Sequence, residues 1–285
     1  MSAQGFHGLK RQVPLKVADG RRPLGVLAAL PEELGDLVAA MRAQSAVESI
    51  TLGRREYHVG LAYGVPCVVT LARVGKVAAA ATVSALIHVF DVEAVVFTGV
   101  AGGVGDAVRV GDVVVAQTLL QHDLDASPLF ARFEVPLLGR THFAADARLT
   151  AQLANACEQF LAQQGAALAA RFGVSDVSGT SSTRLPQLHQ GLVVSGDQFV
   201  ASASAHAALK MAVPEALAVE MEGAAIAQIC YEYGLPCAVV RTVSDTADHA
   251  APASFEAFLA TLAASYSSGI LQHFLVAYQP QPAGS

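Results

Sequence analysis

Two hydrophobic rhythms alternate along this chain. Short β-rich runs, LGVLAAL from Leu24, EAVVFTG from Glu93 and LPCAVVRTVS from Leu235, stand beside Ala-rich stretches of helical spacing. PEELGDLVAAM follows the first, KVAAAATVSALIHVF precedes the second and EGAAIAQICYEYG precedes the third. That alternation predicts an α/β fold, a single domain whose central sheet is largely parallel and flanked by helices. The stretch REYHVGLAYGVPCVVTLA reads instead as two strands around a turn with Gly64 and Pro66, so the sheet is expected to be mixed. Asp146 to Phe172 reads as one long helix, and the Ser/Thr/Gly-rich GVSDVSGTSSTRLPQ after it as an exposed loop. A last helix is expected from about Ser254 to Tyr278, stopped by QPQPAGS. There is no internal repeat and no clear linker.

Composition narrows the classes of partner. Of 285 residues, 53% are hydrophobic and 15% charged, enough apolar surface for a large core and a subunit interface. A net charge of −6 removes the attraction on which nucleic-acid and anionic-membrane binders rely, so the expected partner is a small molecule. The apolar runs are short or interrupted, as by Asp91 and Glu93, and predict no membrane span. The first 23 residues carry Lys10, Arg11, Lys16, Arg21 and Arg22 without the apolar block of a secretory signal, and read as a loose tail. Cys67, Cys157, Cys230 and Cys237 form no close C-x-x-C pair, which fits a reducing cytoplasm.

In open α/β sheets ligands bind at the carboxyl ends of strands, which directs attention to four places. These are Pro31-Glu32-Glu33, the run TGVAGG from Thr98 to Gly103, Glu220-Met221-Glu222, and Ser244-Asp245. Each has an ordinary alternative. Pro31 fits the first position of a helix, with Glu32 and Glu33 as an acidic first turn. TGVAGG lets a ligand approach the backbone, yet it is neither a Walker loop nor a dinucleotide fingerprint. Asp245 can cap the next turn. Glu220 and Glu222 either face a ligand's vicinal hydroxyls or pair with Arg241. His122, Asp123 and Asp125 lack a companion cluster, so no metal is expected, and Lys76 lacks the Walker spacing and reads as structural.

Taken together, AALPEEL, GKVAAA, TGVAGG, VRVGDVVVA, HDLDAS, SGDQF, VEMEGAA and VVRTVSDTAD occur in a shared order from Gly25 to about Ala277. The chain resembles the nucleoside phosphorylase/hydrolase superfamily, and within it the bacterial 5′-methylthioadenosine/S-adenosylhomocysteine nucleosidases. The resemblance implies residues 1–23 as a tail and 24–278 as one catalytic domain. It implies no cofactor, an adenine nucleoside as substrate and a homodimer in which His122 to Ser127 lie near the partner's approach to the pocket. Glu33 would activate the attacking water and Asp245, beside Ser244, would protonate or hydrogen-bond N7 of adenine. Arg241 would help hold the water, Met221 and Glu222 would meet the ribose, Phe199 would stack on the base, Val200 would offer its backbone to the base edge, and Phe255 would wall the 5′-alkylthio group.

The chemistry agrees with such roles. Expelling a purine from C1′ needs a proton or strong hydrogen bond at N7, and an aspartate can carry that proton near neutrality only if desolvation raises its pKa. Glu33, in turn, would have to be ionised, an outcome the start of a helix favours. Phosphorolytic relatives commonly carry an arginine where this chain has Phe97, and Glu33 would repel phosphate at close range, so water is the expected nucleophile. A phosphorylase and a nucleoside-binding protein without turnover are the alternatives. Two departures stand out: Arg73 occupies a place where the nucleosidase pattern has a small serine-and-glycine element, and the chain is longer between Phe160 and Gly191. Arg73 would bind phosphate, or pair with Glu33 or a surface acid.

Overall fold

The first apolar run forms strand β1 (Leu24–Ala28), every residue of which is buried. Its side chains alternate between two cores: Val26 and Ala28 belong to one apolar cluster, Leu27 to another. A strand buried on both faces needs a covering layer on each side, and helices supply both. The description is a computed structural model and covers residues 21–172 and 184–280. The tail expected over residues 1–23 lies mostly outside the described residues, as does most of the exposed loop expected after Phe172.

Around β1 lie β4 (Val65–Leu71) and β5 (Ala94–Phe97), both parallel to it. Outward from β4 come β3 (Arg55–Ala62) and β2 (Glu48–Leu52), joined antiparallel. Their two-residue turns, Gly53-Arg54 and Tyr63-Gly64, have positive φ at both positions, the hairpin geometry that matches strand twist. On the other side β5 pairs with β11 (Cys237–Asp245), a nine-residue strand that serves two neighbourhoods. Its first residues extend the parallel sheet. Its later residues pair with β6 (Val100–Gly103) and, antiparallel, with β7 (Val113–Gln121).

From β6 the sheet continues through β10 (Ala216–Glu220) and β9 (Leu188–Ser195) back to β7, with β8 (His142–Ala144) at the edge. Because β7 also bonds β11, the strands β11, β6, β10, β9 and β7 close into a ring. The mixed sheet was expected from the sequence; its closure was not. The ring contains a bulge in β11, where Val243 pairs with Ala101 and Asp245 with Gly102, leaving Ser244 as the extra residue.

The helices are α1 (Leu37–Gln44), α2 (Lys76–His88), α3 (Ala147–Phe172), α4 (Ala203–Ala212), α5 (Gly223–Tyr233), α6 (Ala251–Phe258) and α7 (Ala264–Ala277). The long helix after Asp146 is as expected. The terminal helical stretch begins at Ala251 and is interrupted by a π-turn over Leu259–Ala263. PEELGDLVAAM corrects the expectation of a single helix: Pro31–Glu33 is one 3₁₀ turn, and regular helix starts only at Leu37. Gly35 makes the break, with φ +54 and a backbone so close to Ala264 that a Cβ would meet that carbonyl oxygen at 2.7 Å.

Candidate active site

Glu33 is buried, yet its carboxylate is well supplied with donors. One oxygen accepts from the amides of Ala29 at 2.8 Å and Leu30 at 2.7 Å, the other from Val100 at 2.9 Å. A carboxylate has about four lone-pair sites, so these three amides leave one acceptor direction on Oε1. Burial pushes the Glu33 carboxyl above its ordinary pKa, opposed by the Arg241 charge and by the three amides. A single 3₁₀ turn carries little macrodipole; the support for the anion comes from these amides and not from a helix start.

Arg241, in the middle of β11, is 1% exposed and answers to three acids. Nη2 donates to Glu220 and lies 3.7 Å from Glu222, while the guanidinium sits 3.8 Å over the Phe97 ring. The third acid is Glu33, whose carboxyl feels the same charge. Gly99 fits between them: a Cβ there would collide with Arg241 Nη1 and come within 2.6 Å of Glu33 Oε1. Gly99→Ala should therefore displace both groups and lower turnover about 10²-fold, the cost of an ångström of misplacement, as steady-state kinetics would read.

Glu220 and Glu222 do different jobs although two residues apart. Glu220 ends β10 and accepts from Ser195 Oγ, from the amide of Glu222 at 3.0 Å and from the amide of Gly223 at 2.8 Å, besides Arg241. This is the salt bridge that the sequence left open, and it fixes the strand-to-helix turn. Glu222 reaches instead to the amide of Gly75, which donates to Oε1 at 2.7 Å. One guanidinium cannot neutralise three buried carboxylates. Burial first, then the nearby Glu220 charge, pushes the Glu222 carboxyl up to about 8.

A raised carboxyl has a stability consequence with a definite sign. The unfolded chain releases this proton near pH 4.5, the folded one only near 8, so folding loses stability as pH rises through that window. Glu222→Gln copies the neutral form and keeps an acceptor for Gly75. Its Tm should exceed that of the parent by about 2–6 °C above pH 8 and match it below pH 5, as scanning calorimetry would measure.

Asp245 closes β11. Its Oδ1 accepts from the amide of Ala247 at 2.8 Å and its Oδ2 from Ser244 Oγ at 2.8 Å, and burial raises its pKa. Turn-capping and a place in the cleft are thus not exclusive. The acid lies in a cleft of about 440 Å³ together with Glu33, Glu222, Met221, Phe199, Val200, Ser244 and Phe255. Val100 to Gly102 form part of the same wall, and Gly102 leaves room for the acid: a Cβ there would stand 2.9 Å from Asp245 Oδ1. Phe199 is 46% exposed and meets Phe255 edge-on, ring centroids 5.4 Å apart.

Of the nine residues to which the resemblance gives a catalytic or substrate-binding role, all but Arg241 line this cleft; Arg241 stands behind its wall. Leu30, Val74 and Gln198 also line it, and Gly75 and Ser195 orient its acids, none of which the sequence reading selected. GKVAAA and SGDQF were visible as motifs, but their contacts join positions far apart. Lys76 pairs with Asp123 at 2.6 Å, and Asp197 accepts from the Lys76 amide at 2.8 Å, which ties these loops together. Arg73 lies outside the cleft, its Nη2 donating to the carbonyl of Arg54.

Fold, cleft and motif order agree with a family match, to the phosphorylase superfamily over residues 23–275. The chain belongs to that superfamily. Among curated relatives it is 33% identical to an aminodeoxyfutalosine nucleosidase of Helicobacter pylori, covering 83% of this chain and 90% of that one. It is 30% identical to a 5′-methylthioadenosine/S-adenosylhomocysteine nucleosidase of a Shewanella species, over 89% and 97%. Among solved structures, the nucleosidase of that second kind from Neisseria meningitidis, in complex with methylthio-immucillin-A, is 32% identical with a TM-score of 0.76, covering 90% of this chain and all of the other.

Proposed function

We propose that the protein hydrolyses the N-glycosidic bond of 5′-methylthioadenosine and S-adenosylhomocysteine, releasing adenine and the 5′-thioribose. The observation that carries the reading is a pair of buried acids with raised pKa, Glu33 and Asp245, that line one glycine-walled cleft. The similar nucleosidases add support from their sequences.

In this reading the nucleoside lies with its base toward Asp245 and its ribose over Met221 and Glu222. As the bond from C1′ to N9 breaks, its electron pair stays with the purine and the Asp245 proton passes to N7. Positive charge develops at C1′, and water adds there from the face opposite the base while Glu33 takes its proton, a one-step inversion. Arg241 braces Glu33 from behind the wall and helps to hold that water. The ribose hydroxyls meet Glu222, Phe199 stacks on adenine with the Val200 backbone at the base edge, and Phe255 walls the 5′ group. No metal or cofactor enters the reaction.

Incubation with methylthioadenosine, with and without phosphate, tests this directly. Free adenine and free pentose at equal rates in both buffers are expected; a sugar 1-phosphate would make the enzyme a phosphorylase, and no adenine at all a binding protein. S-adenosylhomocysteine and aminodeoxyfutalosine in the same assay rank the 5′ substituents. The reading also includes a homodimer, for which light scattering should give about twice the chain mass; Val74 and Val77 beside the cleft loops are 50% and 82% exposed. It places the enzyme in the reducing cytoplasm, in keeping with four free, buried cysteines. Among the described residues, no helix is long and apolar enough to cross a membrane.

A further inference from the structure

On the far side of the Glu33 turn lies a second groove, of about 450 Å³. Arg42, Arg54, Arg55 and Arg73 line it, with His58 and Glu56. Four arginines around one groove are out of keeping with a chain of net charge −6. Among the described residues none of the four forms a salt bridge. Their polar contacts go to backbone carbonyls: Arg55 donates to Gly53 and Ala78, each at 3.4 Å, and Arg73 to Arg54. Arg55 Nε is buried with no partner among those residues. The single carboxylate of the groove, Glu56, is mostly exposed and 3.9 Å from His58, so it does not offset them.

The backbone adds an independent sign. Arg73 has φ +67, in the left-handed region where glycine is favoured and other residues are held at a cost of roughly 1–2 kcal/mol, and no hairpin turn calls for it there as one does at Arg54. The opposite wall is apolar, made of Leu34, Val38 and Leu71.

We propose that this groove is a second ligand site, which takes a small phosphate monoester with an apolar body. Guanidinium forks match phosphate oxygens two at a time, and unpaired arginines have no internal ion pair to break before binding. The apolar wall gives the ester's body a surface that inorganic phosphate cannot use. The site lies against Pro31 and Gly35, on the turn that carries Glu33, and beside the loop from Arg73 to the Gly75 amide that holds Glu222. Occupancy therefore alters nucleoside cleavage, a consequence that rests on the nucleosidase reading; binding itself does not.

Isothermal titration of the full-length protein at low ionic strength, with phenyl phosphate and inorganic phosphate as probes, tests the site without any turnover. Saturable binding at one site per chain is expected, phenyl phosphate about fivefold tighter, and undisturbed by saturating adenine. Arg73→Gly relaxes the strained φ, so its Tm should not fall, yet affinity should drop at least tenfold; Arg42→Gln, outside the strained loop, should weaken binding as well. Absence of saturable binding, displacement by adenine, or affinity retained in the two variants would overturn the proposal.

Discussion

Asp245→Asn should slow adenine release from methylthioadenosine about 10³-fold while leaving folding and nucleoside affinity close to the parent, in keeping with the 10²–10⁴-fold span of general acid catalysis. The structure explains why the loss should be confined to kcat. The amide keeps an acceptor for the Ala247 amide at the Oδ1 position, and its NH₂ can donate to Ser244 Oγ at the other. Every contact survives in shape. Only the transferable proton is gone, because a carboxamide donates hydrogen bonds at N7 without releasing a proton to it. Stopped assays of adenine formation, set beside equilibrium binding of a nucleoside analogue, separate the two quantities; near-normal turnover would remove Asp245 from its role.

Glu33→Gln should be as severe in kcat, about 10³-fold, but for Glu33 the damage should extend to KM. Three backbone amides converge on both carboxylate oxygens, and a carboxamide has a single oxygen. If that oxygen serves Ala29 and Leu30, the NH₂ faces the Val100 amide, donor against donor, at a cost of roughly 1–3 kcal/mol. The chain at Val100 must then yield, and it forms the cleft wall. A variant with kcat reduced and KM unchanged would mean that the amides are incidental to substrate binding; normal hydrolysis would mean that another base is at work.

The two acids also assign the pH profile. Glu33 works as the anion, and since its pKa is raised, activity should fall on the acidic side as it takes up a proton. Asp245 works protonated, and since its pKa is raised too, activity should fall on the alkaline side as it loses its proton. The curve of kcat/KM should be bell-shaped, and Asp245→Asn should change its alkaline limb, on which the Glu222 carboxyl, pushed up to about 8, also titrates.

Much of the site was legible in the sequence. Each acid follows a β-rich run, and strand ends are where such folds place their chemistry, so Glu33, Glu222, Ser244 and Asp245 could be picked out from local pattern. Less legible was which of two neighbouring acids meets the cleft chiefly as structure. Glu220 and Glu222 look alike in VEMEGAA, and their difference rests on Ser195 and Gly75, residues 25 and 147 positions away. The start of PEELGDLVAAM was misread for a similar reason, since Gly35 breaks the helix where the backbone of Ala264 presses against it.

By itself, then, the sequence determined part of the order of strands and helices, the inventory of acids and the family to which the chain belongs. These depend on spacing over a few residues and on motif order, both written along the chain. Only the tertiary structure decided that β7 bonds β11 and closes a ring, that one arginine serves three carboxylates, and that four unpaired arginines share a groove. Such outcomes turn on register and burial between distant segments, where a carboxylate's charge depends on how many donors reach it once water has been excluded.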